Sequence, residues 1–382
     1  MRNSGCTTVQ RSPAVSSRLF SVFLCGDVMT GRGVDQILRH PGRPAIHERY
    51  VRDARRYVEL AEWLNGPIPR AVDDTYIWGD ALDELTRAAP QARVVNLETA
   101  VTQSDDIWPK GINYRMHPAN VGCLTAAQLD VCVLANNHVL DYGYAGLAET
   151  LDTLANAGIQ VAGSGRDQEE AGRPARVRLA DGRDLVVFGV GSDTAGIPAS
   201  WAAGVCRPGV AFLGDFSETT AAAIVKRVSA AKRPGDIAAV SIHWGSNWGY
   251  TVPAEQVRFA RWPVEGGMDL VHGHSSHHPR PIEVYRDRLI LYGCGDFITD
   301  YEGISGGEQY RGDLVLMYFV ALGSSGQLDG VRMRLMQARQ LRFHRARSGD
   351  AARVARVLSR VSAEYGSRVE VVTDGALELR WG

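Results

Sequence analysis

The chain has 382 residues, of which 45% are hydrophobic and 22% charged, with 41 glycines. That composition excludes a disordered or fibrous protein and suits one large soluble domain with a sizeable core. A formal net charge of −1 removes any global attraction to nucleic acid or an anionic membrane, so the expected partner is a small molecule or a peptide.

In chain order, residues 1–17 are expected to be a disordered leader, 18–344 the main domain and 345–382 a small C-terminal α+β appendage. The first apolar run, LFSVFLCG, is too short to span a membrane and ends in Gly26-Asp27 without a small-residue cleavage pattern. No integral membrane segment is expected, and the localisation read from this is cytoplasmic. Short β-rich runs then alternate with helical patterns. Strand 19–25 is followed by helix 79–88, strand 92–96, helix 118–128, strand 129–134, helix 144–157 and strands 159–162 and 184–190. Helix 218–232, strand 236–242, helix 254–266 and strands 269–272, 283–286, 288–293 and 313–320 complete the main domain. The rhythm is α/β. Residues 41–78 and 103–117 read as irregular, substrate-facing insertions. Near the end, GDAARVARVLSRVSAEYG is an amphipathic helix pattern and VEVV and LELRW are short strands, either packed on the main domain or used for association, so a homo-oligomer stays open. The six cysteines are scattered without CxxC spacing and read as reduced core residues.

The informative pattern lies at the strand ends. Gly26-Asp27 comes after the first, Leu97-Glu98 after the second, ANNH after the third, HWG after the strand at 236–242, and 269–272 runs into HGHSSHH. In an open α/β sheet ligands collect at the C-terminal strand edge, so the fold would bring these groups together. The set Asp27, Glu98, Asn137, His138, His243, His274 and His277 offers the imidazole, carboxylate and amide donors that a divalent first-row ion accepts when thiolate is absent. Asp141 either orients His138 or caps the next helix. A Gly-x-Gly-Asp at 293–296 opens no helix in GxGxxG form, and no GxxxxGK[ST] occurs, which excludes a P-loop or dinucleotide fold.

The stretches GDVMTGRG, VVNLETAVT, LANNHVLDYGYAGLAETLDTLANAGI, HWGSNWGY and GHSSHHPRPIEVYRDRLILYGCGDF together resemble the CapA family, named for poly-γ-glutamate capsule synthesis and related to the calcineurin-like metallophosphoesterases. The resemblance runs from about residue 19 to 320. It implies a four-layer α-β-β-α sandwich of metallophosphoesterase type, with Asp27, Glu98, Asn137, His243, His274 and His277 as metal ligands and His138 as acid/base. The bound cofactor would be one or two divalent ions, among which Mn, Zn, Fe, Mg and Ca are not distinguished. The chain departs from the phosphoesterase pattern where Asp-x-His becomes Asp27-Val28-Met29 and where the final Gly-His-x-His is stretched by two serines.

These residues imply a metal-dependent enzyme acting on a phosphoester or a peptide amide. A depleted metal site flanked by spare proton-transfer groups (His138, His278, Asp296, with Asp27 beside them) would instead suit Cα-epimerisation of a peptide, as in CapA-like proteins of lasso-peptide biosynthesis. A non-catalytic accessory of polymer synthesis is the third expectation. Arg32, Lys110, Arg115 and Arg280 are candidates to hold a phosphate or carboxylate, Trp244 is a candidate apolar wall, and Asp141 and Asp296 are candidates to orient the histidines.

Overall fold

The computed structural model describes residues 19–382, so the expected leader and Cys6 lie outside the described residues. Apolar runs in the sequence become strands because β-branched residues alternate or cluster there. The elements are β1 (Phe20–Val28), α1 (Gly33–Ile37), α2 (Arg55–Asn65), α3 (Ala81–Ala88), β2 (Ala92–Leu97), α4 (Gly122–Ala126), β3 (Val131–Val133), α5 (Gly143–Asn156), β4 (Gln160–Ala162), α6 (Gln168–Ala171), β5 (Ala175–Arg178) and β6 (Asp184–Ser192). They continue with β7 (Phe212–Leu213), α7 (Glu218–Ala231), β8 (Ile237–His243), α8 (Ala254–Glu265), β9 (Leu270–His274), β10 (Ile282–Tyr285), β11 (Arg288–Leu291), β12 (Leu314–Leu322), β13 (Leu328–Ala338), β14 (Phe343–Arg345), α9 (Ser348–Ser362), β15 (Ser367–Val371) and β16 (Leu377–Trp381).

Two sheets organise the chain as an α/β protein. The nine-stranded sheet runs β15-β16-β13-β12-β1-β2-β3-β4 with β14 on β13, and the seven-stranded sheet runs β7-β6-β8-β9-β11-β10 with β5 on β6. Strands β1 to β4 are mutually parallel, as are β6, β8, β9 and β11. Parallel strands need crossovers, and the helices supply them. Every residue of β8 and β9 is buried, which is why Ile237–Val240 reads as a continuous apolar run rather than an alternating one.

Both sheets contribute to one core cluster. Val22, Leu24, Val94 and Val131 of the larger sheet share it with Val187, Ile237, Leu270 and Leu291 of the smaller. The opposite face of the larger sheet, with Phe23, Val95 and Cys132, packs on α2, α3 and α5 through Val58, Leu85 and Leu151. The opposite face of the smaller sheet, with Phe188, Val240 and Val271, packs on α7 and α8 through Ile224 and Phe259.

All ten strands expected in the main domain form, within a few residues of the expected bounds. The stretch 41–78, expected to be irregular, contains α2. Exposed Arg55, Arg56 and Glu59 hide the buried stripe of Tyr57, Val58 and Ala61, which follows helical spacing. Strand β13 was not anticipated, because Arg332 and Arg334 interrupt the buried Val331, Met333 and Leu335; that interruption is the period-2 alternation itself. The C-terminal segment is built into the larger sheet: β16 pairs with β13, β15 extends the edge, and Ala355 and Leu358 of α9 enter the core shared by both sheets. Cys25, Cys123, Cys132 and Cys294 are buried and unpaired, whereas Cys206 is exposed, a departure from the core placement expected for it. Among the described residues no helix is long and apolar enough to cross a membrane.

Candidate metal and acid/base site

Register, more than any loop, assembles the site. Asp27 near the end of β1 lies beside Asn96 of β2, and Glu98 follows β2 directly. In the other sheet the parallel pairing of β8 with β9 sets His243 beside His274, each the last residue of its strand. The two sheets approach closely here. A Cβ on Gly26 would sit 1.5 Å from the Gly295 carbonyl oxygen, so only glycine permits the contact.

A buried hydrogen-bond chain then fixes which histidine nitrogen is free. The Cys25 carbonyl lies 2.8 Å from His272 Nε2 and can only accept, so Nε2 carries the proton. Burial pushes His272 down to about 4, so the ring is neutral and its Nδ1 is an acceptor. Ser241 Oγ, 3.0 Å from that Nδ1, therefore donates to it and accepts from His274 Nε2 at 2.9 Å. The lone pair of His274 is left on Nδ1, which faces His243 Nδ1 at 2.9 Å and Asp27 Oδ1 at 3.8 Å. Burial holds both His243 and His274 well below the ordinary 6.5, which keeps them in the neutral form that ligates metals. Asp27, His243 and His274 each place a donor atom within 4.8 Å of the others.

The carboxylates carry the complementary signature. Burial and then the charge of Asp296 raise Asp27 from 3.8 to about 7, and burial and then Asp27 push Glu98 well above its usual range. Asn96 Nδ2 donates to Asp27 Oδ1 at 2.8 Å and to Glu98 Oε2 at 3.2 Å, and the Ser275 amide donates to Asp27 Oδ2 at 3.1 Å. Ser275 has φ 95°, a left-handed conformation that costs a non-glycine residue of order 1–3 kcal/mol; it aims the amide at Asp27. His277 Nδ1 meets Asp296 Oδ1 at 2.8 Å. Burial alone would lower His277, yet the Asp296 carboxylate outweighs it and the net shift is upward. Asn136 is consumed within the fold, donating to Asn96 Oδ1 and the Leu97 carbonyl and accepting from the His138 amide. Asn137 is different, with a buried Oδ1 that has no hydrogen-bond partner among the described residues.

His138 forms the second half of the site. Its Nδ1 lies 2.6 Å from Asp141 Oδ2, and its Nε2 lies 3.7 Å from Glu98 Oε1. Asp141 also accepts from the Tyr114 amide at 2.6 Å and pairs with Lys110 Nζ at 2.6 Å. The N-cap of α5 is Tyr142, with no side-chain cap hydrogen bond, so Asp141 orients the imidazole and does not cap the helix. Burial lowers His138 to about 4 against the opposing pull of Asp141. Tyr114 packs edge-on against the ring at 4.4 Å.

The other expected residues take up distinct places. His278 stacks on Tyr310 at 4.2 Å and abuts Tyr250 at 4.6 Å, with Nδ1 at the Pro279 carbonyl. Trp244 is a core residue, packed on Phe216 and Phe259 and donating to the Tyr292 carbonyl. Arg32 is buried in a forked pair with Asp300 and a further pair with Glu48. Arg115 binds the Ser104 carbonyl and Asp105, and Lys110 also donates to the Asn137 carbonyl. Asn96, Ser241, His272 as a relay and Tyr114 escaped sequence reasoning. The Asn96-x-Glu98 spacing and Ser241 two residues before His243 were the only available signals.

The donor set fits a divalent ion. It combines neutral imidazole nitrogens, buried carboxylates that among the described residues form no ion pair with lysine or arginine, and an amide oxygen without a hydrogen-bond partner among the described residues. Asp27, His243 and His274 form its centre, Glu98 Oε1 lies 3.9 Å from His243 Nε2, and Asn137 is the chain neighbour of His138.

The model of the family described as bacterial capsule synthesis protein PGA_cap matches residues 21–301. The chain is 48% identical to a probable polyglutamine synthesis accessory protein of Mycobacterium tuberculosis, over 94% of this chain and 95% of that protein. It is 27% identical to the PGA biosynthesis protein CapA of Bacillus subtilis, over 82% of this chain and 71% of that protein. It is 22% identical to the capsule biosynthesis protein CapA of Bacillus anthracis, over 87% and 72% respectively. The epimerase expectation draws no support from these relatives. With the family model spanning most of the chain and every motif strand ending at this one edge, the chain belongs to the bacterial capsule synthesis protein family PGA_cap, the CapA family.

Proposed function

We propose that the chain is a metal-dependent hydrolase of metallophosphoesterase type, cleaving a phosphoester or an amide bond during synthesis of a bacterial capsular polymer. In this reading helices, two sheets and helices form the four-layer α-β-β-α sandwich of those enzymes. Asp27, Glu98, Asn137, His243, His274 and His277 are the donors available to one or two divalent ions. The observation that carries it is the fixed tautomer of His274, whose lone pair is held toward Asp27 and His243 by a chain that starts at the Cys25 carbonyl.

A divalent ion in such a donor set supplies Lewis acidity. His138 does the proton work. Its Nδ1–H is committed to Asp141, so Nε2 accepts a proton from the attacking group and returns it to the leaving group. Lys110 and the Tyr114 amide hold Asp141 in place, and the burial of His138 keeps it in the basic, neutral form at neutral pH.

A second reading, a non-catalytic accessory of polymer synthesis, is favoured by the words "accessory protein" in the name of the 48% identical mycobacterial relative. One experiment separates the two. Protein loaded with Mn²⁺ is assayed on bis(p-nitrophenyl) phosphate and on a γ-glutamyl anilide, beside His138→Ala. The hydrolase reading expects turnover of one substrate and a fall of roughly 10²–10⁴-fold in the variant. No turnover of either, or equal rates in both proteins, overturns it in favour of the accessory.

A further inference from the structure

Four cations stand in or beside the motifs, and three of them are neutralised within the fold. Arg32 has Asp300 and Glu48, Arg115 has Asp105, and Lys110 has Asp141. Arg280 has no carboxylate partner among the described residues, although it is only 2% exposed. Its Nη2 donates to the Ser246 carbonyl at 2.7 Å and to Ser246 Oγ at 2.9 Å. Its Nε is buried without any hydrogen-bond partner among the described residues. A guanidinium cannot shed its charge by deprotonation, and burying an ion without a counter-charge is costly.

The Arg280 amide donates to the Gly293 carbonyl at 2.9 Å, and the aliphatic stem passes over Gly293, where a Cβ would come within 3.1 Å of Cγ and Cδ. The guanidinium thereby reaches Gly245, two residues beyond His243. A Cβ on Gly245 would stand 3.3 Å from Arg280 Nη1 and 3.2 Å from Gln256 Nε2. The missing side chain leaves Arg280 Nη1 and the Gln256 carboxamide, whose Oε1 would stand 3.3 Å from the same Cβ, facing one narrow notch. Ser246, which among the described residues alone accepts from the guanidinium head, lies with Asn247 and Trp248 on an exposed loop bounded by positive-φ glycines, Gly245 and Gly249.

We propose that Arg280, with Gln256 beside it, anchors an oxyanionic group of the substrate, a carboxylate or a phosphate, in the notch at Gly245. The assignment rests on the reading that the His243–His274 edge binds substrate. It gives that substrate a negatively charged group close to the bond attacked. Arg280 binds and positions; it takes no part in proton transfer.

The test uses inorganic phosphate, glutarate and, as a neutral control, glutaramide. Each is titrated calorimetrically and by thermal unfolding into wild type, Arg280→Met and Arg280→Lys, both Mn²⁺-loaded and chelator-treated. The wild type should be stabilised by at least one anion and not by glutaramide, with phosphate or glutarate dominating according to the group recognised. Arg280→Met should lose the response while its ligand-free Tm equals or exceeds that of wild type, because an unpaired buried charge is gone. Arg280→Lys, which keeps the charge and loses the fork, should bind roughly tenfold more weakly. Absence of any anion response in the wild type overturns the proposal, as does an undiminished response in Arg280→Met and Arg280→Lys. A wild type that fails to bind Mn²⁺ but keeps an Arg280-dependent anion response overturns the metal reading and leaves this one standing.

Discussion

Replacing Ser241 by alanine removes a single oxygen and breaks the buried chain that sets the His274 tautomer. Ser241 Oγ makes two bonds, donating to His272 Nδ1 at 3.0 Å and accepting from His274 Nε2 at 2.9 Å. Both rings are fully buried, so no water replaces the hydroxyl without entering the core. Leaving one acceptor and one donor unpartnered costs about 1–3 kcal/mol each; partial relaxation of the rings brings the expected loss to about 2–4 kcal/mol. The second consequence is functional. Without its acceptor, His274 no longer favours the tautomer with Nδ1 unprotonated, and loss of such an orienting partner weakens metal binding by about 10–100-fold. That corresponds to about 1.4–2.7 kcal/mol. Urea denaturation of the chelator-treated protein measures the first effect, and calorimetric titration with Mn²⁺ measures the second. A variant that is destabilised but binds Mn²⁺ with wild-type affinity would refute the tautomer argument and reduce the chain to a structural link between the sheets.

The geometry sets three further outcomes. Asp141→Asn removes the negative charge that orients His138 and pairs with Lys110; kcat on whichever substrate is turned over should fall on the order of 10²-fold while Mn²⁺ affinity measured by titration is unchanged. Gly26→Ala forces a Cβ into the Gly295 carbonyl, and urea denaturation should show a loss of about 3 kcal/mol, at the upper end of overpacking costs. Asp215 is held down to about 2, from 3.8, by the Ser217 hydroxyl, the Thr220 hydroxyl and the Ser217 amide at the start of α7. Because its folded value lies below its unfolded one, its contribution is fully present above pH 3.8 and lost as pH falls through about 2. Asp215→Asn should therefore be less stable than wild type at pH 7, with the difference closing at the acid end of a pH series of melting curves.

The fold was legible where residues were uniform in kind. A continuous apolar run such as Ile237–Val240 suits a strand buried on both faces, and the polar residues after such runs marked the edge where Asp27, His243 and His274 meet. Legibility failed where charge overlaid the pattern. Arg332 and Arg334 obscured β13, and Arg55, Arg56 and Glu59 obscured α2. At the site, residue types pointed to donors but not to pairings. Register across β8 and β9 placed Ser241 between two histidines, and no spacing within one strand encodes a neighbour on another. The same limit applies to the cations. Arg32, Arg115 and Arg280 look alike in sequence, and only the long-range partners Asp300 and Ser246 separate a neutralised arginine from an unpaired one.

The most direct test of the account is the metal content of the His243–His274 edge. Wild type, Asp27→Asn and His274→Ala are stripped with chelator, dialysed against Mn²⁺ and analysed for bound metal by mass spectrometry. The account predicts at least about one equivalent in the wild type and a loss of most of it in each variant, with near-ultraviolet circular dichroism confirming that the variants are folded. Equal metal content in all three folded proteins, or none in the wild type, would contradict it.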